Sequence, residues 1–92
     1  MPYSDELGRE YTKQEARFWR EVKYAVKANR GITSVYPIAQ GMGIPKHREQ
    51  QWVRTWMNDD LVRGLDGGTA RVTLTPFGRQ FTFEDRYSDI EE

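Results

Sequence analysis

The sequence predicts an α+β chain, mainly helical: three helices, then a two-stranded β-hairpin, then a short C-terminal turn. Three observations predict it. Apolar residues recur at helical spacing over Phe18, Trp19, Val22, Ala25 and Val26, and again over Trp52, Val53, Trp56 and Met57. The run Asp66-Gly67-Gly68-Thr69 separates two β-prone segments, a hairpin signal because glycine takes positive φ without strain. And 92 residues with three Trp, five Tyr and four Phe can fill one small core.

The first helix is marked at both ends. Thr12 followed by Glu15 has capping-box spacing, with Thr12 as N-cap. Lys13, Arg17, Arg20, Lys23 and Lys27 fall on the face opposite the apolar one, as expected of a solvated face. Asn29-Arg30-Gly31 ends the helix, with Gly31 expected at C′. In "SVYPIAQGM", Ser34 is expected to cap a short second helix, with Pro37 in its first turn and Val35, Ile38, Ala39 and Met42 inward. Gly41 and Gly43 suit close helix approach and a tight turn.

A third helix, residues 45–59, opens at Pro45. Trp52, Val53, Trp56 and Met57 form its inward stripe, and Glu49 falls near the same arc, half buried or paired with a base. His47, Gln51, Arg54 and Asn58 lie opposite, with Lys46, Arg48 and Gln50 in the N-terminal turns. Asp59-Asp60 ends this helix against its dipole. In the hairpin, residues 62–75, Val72 and Leu74 alternate as in a half-buried strand, with the register left open. Thr75 then caps one turn starting at Pro76, and Phe77, Phe81 and Phe83 are expected to close the core.

Composition excludes several functions. The chain has no cysteine, so disulfides, cysteine-ligated zinc and thiol catalysis are absent. His47 is the only histidine, and the Gly-Gly tip lacks the phosphate-loop lysine, so no catalytic residue, metal or cofactor is expected, and no enzyme. No apolar run approaches a membrane span and "MPYSDELGRE" lacks signal-peptide order, which predicts a soluble cytoplasmic protein with no membrane partner. Formal net charge is zero but unevenly spread. Residues 84–92 hold five acidic side chains against Arg86, while residues 11–83 hold twelve Lys/Arg against six Asp/Glu. This divides the chain into an N-terminal extension (1–11), a basic domain (12–83) and an acidic tail (84–92) expected to be disordered.

The order of elements is that of a winged helix-turn-helix domain, and local residues extend the likeness. Ile38-Ala39 and Met42-Gly43-Ile44 at the second helix and turn, Leu61-Val62 after the third helix, and Leu74-Thr75-Pro76-Phe77-Gly78 after the hairpin resemble the core of MarR-, PadR- and ArsR-type regulators over residues 12–83. Two residues depart from that pattern: Asp60 stands where those families have glycine, and Glu49 where they have an apolar residue. The long C-terminal dimerisation helix of MarR-type proteins has no counterpart. The chain is therefore expected to be a monomer, or a homodimer through helix 1 or the extension, where Tyr3, Leu7 and Tyr11 recur at i, i+4.

The resemblance implies sequence-specific binding of double-stranded DNA by a small transcriptional regulator. The third helix would lie in the major groove and the hairpin would act as the wing. Lys46, Arg48, Arg63 and Arg71 are the candidate phosphate contacts, with Lys13 or Arg17 of the first helix as a further one, and His47, Gln50, Gln51 and Arg54 the candidate base readers, because guanidinium and amide groups match the edges of guanine and adenine. The alternative is a winged-helix adaptor that binds protein in a transcription or replication complex, with Tyr24 and Tyr36 exposed for that purpose.

Overall fold

Thr12 starts the first helix as its spacing predicts. Its hydroxyl accepts from the Glu15 amide at 3.1 Å, and α1 runs Lys13–Ala28 in the computed structural model, which describes residues 3–4 and 7–83. The expected acidic tail lies outside the described residues. The second half of the capping box does not form around Thr12. The Glu15 side chain turns inward, where it is buried, and bonds Arg9 and Trp56 instead.

The three main helices, α1, α2 (Tyr36–Gly41) and α3 (Lys46–Asn58), stop in the same way. Each ends with a residue at positive φ, followed by an amide that reaches back five residues. Arg30 (φ 63), Gly43 (φ 75) and Asp60 (φ 61) take the left-handed position. The bonds are Gly31 N to Val26 O at 2.7 Å, Ile44 N to Ala39 O at 2.9 Å and Leu61 N to Trp56 O at 2.8 Å. This is the Schellman pattern. Gly31 is therefore not at C′ but one residue later, and Arg30 carries the left-handed turn.

Asp60 occupies a backbone position that glycine fills at lower cost, which gives its departure from the regulator pattern a physical content. Asp60→Gly is expected to stabilise the fold by about 1 kcal/mol, since it relieves the left-handed strain and removes a carboxylate from a helix C-terminus. A rise in the urea midpoint with unchanged slope supports this, and a fall contradicts it.

The short helix α2 begins differently from expectation. Val35, not Ser34, is at its cap, and no side chain caps it. Ser34 belongs to a strand, β3 (Thr33–Ser34). Two strands precede it: β1 (Tyr3–Ser4) pairs antiparallel with β2 (Glu10–Tyr11). The hairpin comprises β4 (Val62–Gly64) and β5 (Arg71–Leu74), and the sheet order is β3-β5-β4. The sheet thus has three strands rather than two. Its register is Val62↔Leu74, Arg63↔Thr73 and Gly64↔Val72, with Thr33↔Val72 on the other side. Val62, Val72 and Leu74 are buried, so this face closes the core while Arg63, Arg71 and Thr73 share the outer one.

At the hairpin tip, φ is positive at Asp66 (56) and Gly67 (73), and Gly68 N bonds Leu65 O at 3.1 Å. Asp-Gly, not Gly-Gly, makes the reversal, with the positive φ at both central residues that a type I′ turn requires. Gly64 is needed for another reason: a Cβ there would lie 1.8 Å from Gly68 O.

Helix α4 (Pro76–Gln80) follows Thr75, whose hydroxyl accepts from Gly78 N at 2.9 Å. The same buried hydroxyl meets the carbonyls of Asp60 and Leu61 at the end of α3. Phe81 and Phe83 are buried as expected, but Phe77 is 38% exposed. Trp19 joins these rings edge-on, with centroids 6.1 Å from Phe81 and 6.4 Å from Phe83. Phe83 also stacks on Tyr11 at 4.1 Å. Tyr11 is therefore core and lies in a strand, so it is not available to a dimer surface of the extension.

Candidate nucleic-acid interface

The inward arc of α3 fixes what its other side presents. Val53 and Trp56 are fully buried, and Trp56 packs on Phe18 and Trp19 with both centroids at 5.1 Å. Trp52 sits at the edge of this arc, half-buried and 6.1 Å from Phe18, rather than wholly inside. Glu49 takes the inner place instead and is 2% exposed. The arc is thus Glu49–Val53–Trp56, with Trp52 and Met57 on its two flanks.

Opposite that arc, His47, Gln51, Arg54 and Asn58 form one exposed row at i, i+4, i+7, i+11. Among the described residues, none of these four side chains makes a hydrogen bond or ion pair to another. Only the backbone of Gln51 is engaged, accepting from Thr55 Oγ1 at 3.0 Å. The row carries guanidinium, amide and imidazole donors and two amide acceptors, all facing away from the core.

The remaining candidates sit around this row rather than in it. Arg48 is exposed but leans toward α1, with Nη1 3.4 Å from Gln14 Oε1 and its guanidinium 6.0 Å from the Trp52 ring. Lys46 is exposed at the start of α3, its Nζ 5.9 Å from the Tyr36 ring. Gln50 is half-buried on the opposite flank from Arg48, the side of Met57, whose methyl group reaches the hairpin near Gly64. Arg63 and Arg71 are both exposed on the outer face of the hairpin, and Arg71 is 3.8 Å from the Asp66 carboxylate. The structure therefore gathers His47, Gln51 and Arg54 with Asn58, and leaves Lys46, Arg48, Gln50, Arg63 and Arg71 at the margins. Gln14, which sequence reading left out, holds Arg48 from 34 residues away. No periodicity in the chain signals a pair that far apart.

Burial pushes the Glu49 carboxyl above the usual glutamate range, partly opposed by the Lys46 ammonium. An acid whose folded value is raised binds more protons folded than unfolded, so its ionisation costs stability as pH rises through and beyond about 4.3. Glu49→Gln is expected to raise the unfolding free energy at pH 7 and to lose that advantage below about pH 4. Paired urea titrations at the two pH values check it; an equal effect at both would contradict it.

The described residues contain no cluster of three or more metal-ligating side chains, and no helix long and apolar enough to cross a membrane. Tyr24 and Tyr36 are 73% and 40% exposed, the former at the centre of the outward face of α1. Comparison of the chain with protein-family models, with curated proteins and with solved structures finds no match.

Proposed function

We propose that the chain is a winged-helix protein that binds double-stranded DNA in a sequence-specific manner, with α3 in the major groove and the β4–β5 hairpin as its wing, as a small transcriptional regulator does. The observation that carries this reading is the row His47, Gln51, Arg54 and Asn58: exposed, in register, and unengaged within the described fold. A merely solvated helix needs no such concentration of groups that match base edges. The antiparallel strand before α2, the tight α2–α3 turn at Gly43 and the hairpin after α3 agree with a winged helix. Lys46, at the N-terminal turn of α3, and Arg63 and Arg71 on the hairpin supply positive charge on either side of the row.

Selection of duplex sites from a randomised pool with the purified protein tests binding and specificity together. On the selected site, Arg54→Ala is expected to cost about 1–3 kcal/mol and to relax preference at one base position. Lys46→Ala is expected to weaken all duplexes alike and to reduce the salt slope by about 1. A pool that shows no enrichment removes the sequence-specific reading. Affinity that persists at high salt for a protein target would favour the adaptor reading, for which exposed Tyr24 is the main structural support.

A further inference from the structure

Two helices that meet through their apolar sides turn their polar sides apart. Helices α1 and α3 meet at Trp56, whose ring lies 5.1 Å from both Phe18 and Trp19. The row His47, Gln51, Arg54 and Asn58 is one outer face of this pair. The other belongs to α1, where Lys13, Arg17, Arg20, Tyr24 and Lys27 recur at i, i+4, i+7, i+11 and i+14, opposite Phe18 and Val22. Lys13 and Arg17, expected from the sequence to join the contacts of α3, are therefore turned to the other side of the molecule.

The make-up of this second face selects its partner. Its four cations stand along about 21 Å of helix, at 1.5 Å per residue. Glu21 is the one exposed acid of α1. Among the described residues, the side chains of Lys13, Tyr24 and Lys27 make no hydrogen bond or ion pair. Tyr24 is the only large apolar group on the face, and it ends in a hydroxyl. A protein partner needs an apolar patch to cover, and a membrane surface needs apolar side chains to take in. A phosphate backbone asks only for charge and hydrogen-bond donors, tyrosine hydroxyls among them. With one negative charge per about 1.7 Å of axis, a duplex presents phosphates along the whole length of the row.

We propose that the outward face of α1 binds the phosphate backbone of a second duplex, without regard to sequence, so that one molecule joins two DNA segments. This rests on the α3 reading for the first of them. Space allows both. Packed helices lie roughly 8–10 Å apart and each reaches about 5–6 Å to its side-chain tips, which sets the two outer faces roughly 20 Å apart. That is about two Debye lengths at 0.1 M salt, so repulsion between the two duplexes is largely screened.

Energy transfer between donor- and acceptor-labelled short duplexes of random sequence tests it, with DNA in excess at about 0.1 M salt. The wild type is expected to take two duplexes per molecule and to give transfer. Arg20→Gln with Lys27→Gln is expected to lower transfer about tenfold or more and to reduce the salt slope of the second binding step by about 2. Both positions are exposed, and the one duplex this variant still holds shows that it is folded. His47→Ala with Arg54→Ala is expected to lose the other duplex, and transfer with it.

Transfer that survives in the α1 variant overturns the proposal, as when two copies pair and each holds one duplex. So does a wild type that takes a single duplex which the α1 variant binds equally well. Single-stranded DNA that displaces duplex from the α1 face would also overturn it, and would make Tyr24 a stacking platform for unpaired bases. Failure of the α3 reading has a different signature. The α3 variant then behaves as the wild type and the α1 variant binds no duplex, which leaves α1 as the sole backbone surface and removes the joining of two segments.

Discussion

Replacing Gly78 by alanine lowers the unfolding free energy by about 3 kcal/mol or more, the upper end of what overpacking a closed site costs. A Cβ at this position would sit 1.9 Å from Leu61 O and 2.8 Å from Leu61 C. Those atoms are backbone, and they are held from several sides. Thr75 N donates to Leu61 O at 3.1 Å, the Thr75 hydroxyl donates to the same oxygen at 3.2 Å, and Leu61 N is tied to Trp56 O. The clash cannot be relieved by a rotamer change, so either α4 lifts away from the end of α3 or the turn after α3 opens. Gly41→Ala is the matched control. A Cβ there meets nothing within 4 Å, which also means that Gly41 does not serve close helix approach, and its substitution should change stability by less than about 1 kcal/mol. Urea unfolding of the two variants side by side decides the point; similar losses in both would remove Gly78 from its assigned role.

Glu15→Ala is expected to cost about 3–5 kcal/mol, because it breaks a buried ion pair from one side. The Glu15 side chain is 4% exposed and one of its oxygens accepts from Arg9 Nη1 at 2.8 Å and from Trp56 Nε1 at 3.0 Å. Arg9 continues to Asp59 at 3.1 Å. One carboxylate therefore joins the segment before α1, α1 itself and the core tryptophan of α3, and Arg9 extends the link to the end of α3. Removing it takes one carboxylate from the Arg9 guanidinium, which keeps Asp59, and leaves the buried Trp56 indole N–H without its acceptor. Glu15→Gln keeps an oxygen acceptor and loses the charge, so its cost should be smaller. Equal loss in the two variants would assign the effect to packing, and a loss under about 1 kcal/mol in Glu15→Ala would contradict the network's role.

The helical period alone makes the outward row of α3 legible in the sequence. Positions 47, 51, 54 and 58 must lie opposite 49, 53 and 56 on any α-helix, so the outward row followed from spacing alone. Depth of burial did not follow. Trp52 and Glu49 both border the apolar arc, and only the packing of Phe18 and α2 against α3 decides that the carboxylate goes in and the larger ring stays half out. Thr12 was legible as a cap, but Glu15 was not legible as a core bond, since its partner Trp56 lies 41 residues away. The strand Thr33–Ser34 is two residues long and offers no alternation to detect. Of the three left-handed helix stops, only the one with glycine, Gly43, announced itself. Arg30 and Asp60 take the same conformation without the residue that signals it. For Asp59-Asp60 the structure supplies the reason that charge alone did not: Asp59 pairs with Arg9, and Asp60 makes the turn.

The claim on which the functional account depends is that the outward row of α3 meets the edges of base pairs. Amide and side-chain chemical-shift mapping, with a duplex recovered by site selection and a scrambled duplex as control, tests it most directly. The account predicts large, duplex-specific changes at His47, Gln51, Arg54 and Asn58, with smaller changes common to both duplexes at Lys46, Arg63 and Arg71. Changes confined to α1 around Tyr24, or a row that responds identically to both duplexes, would contradict it.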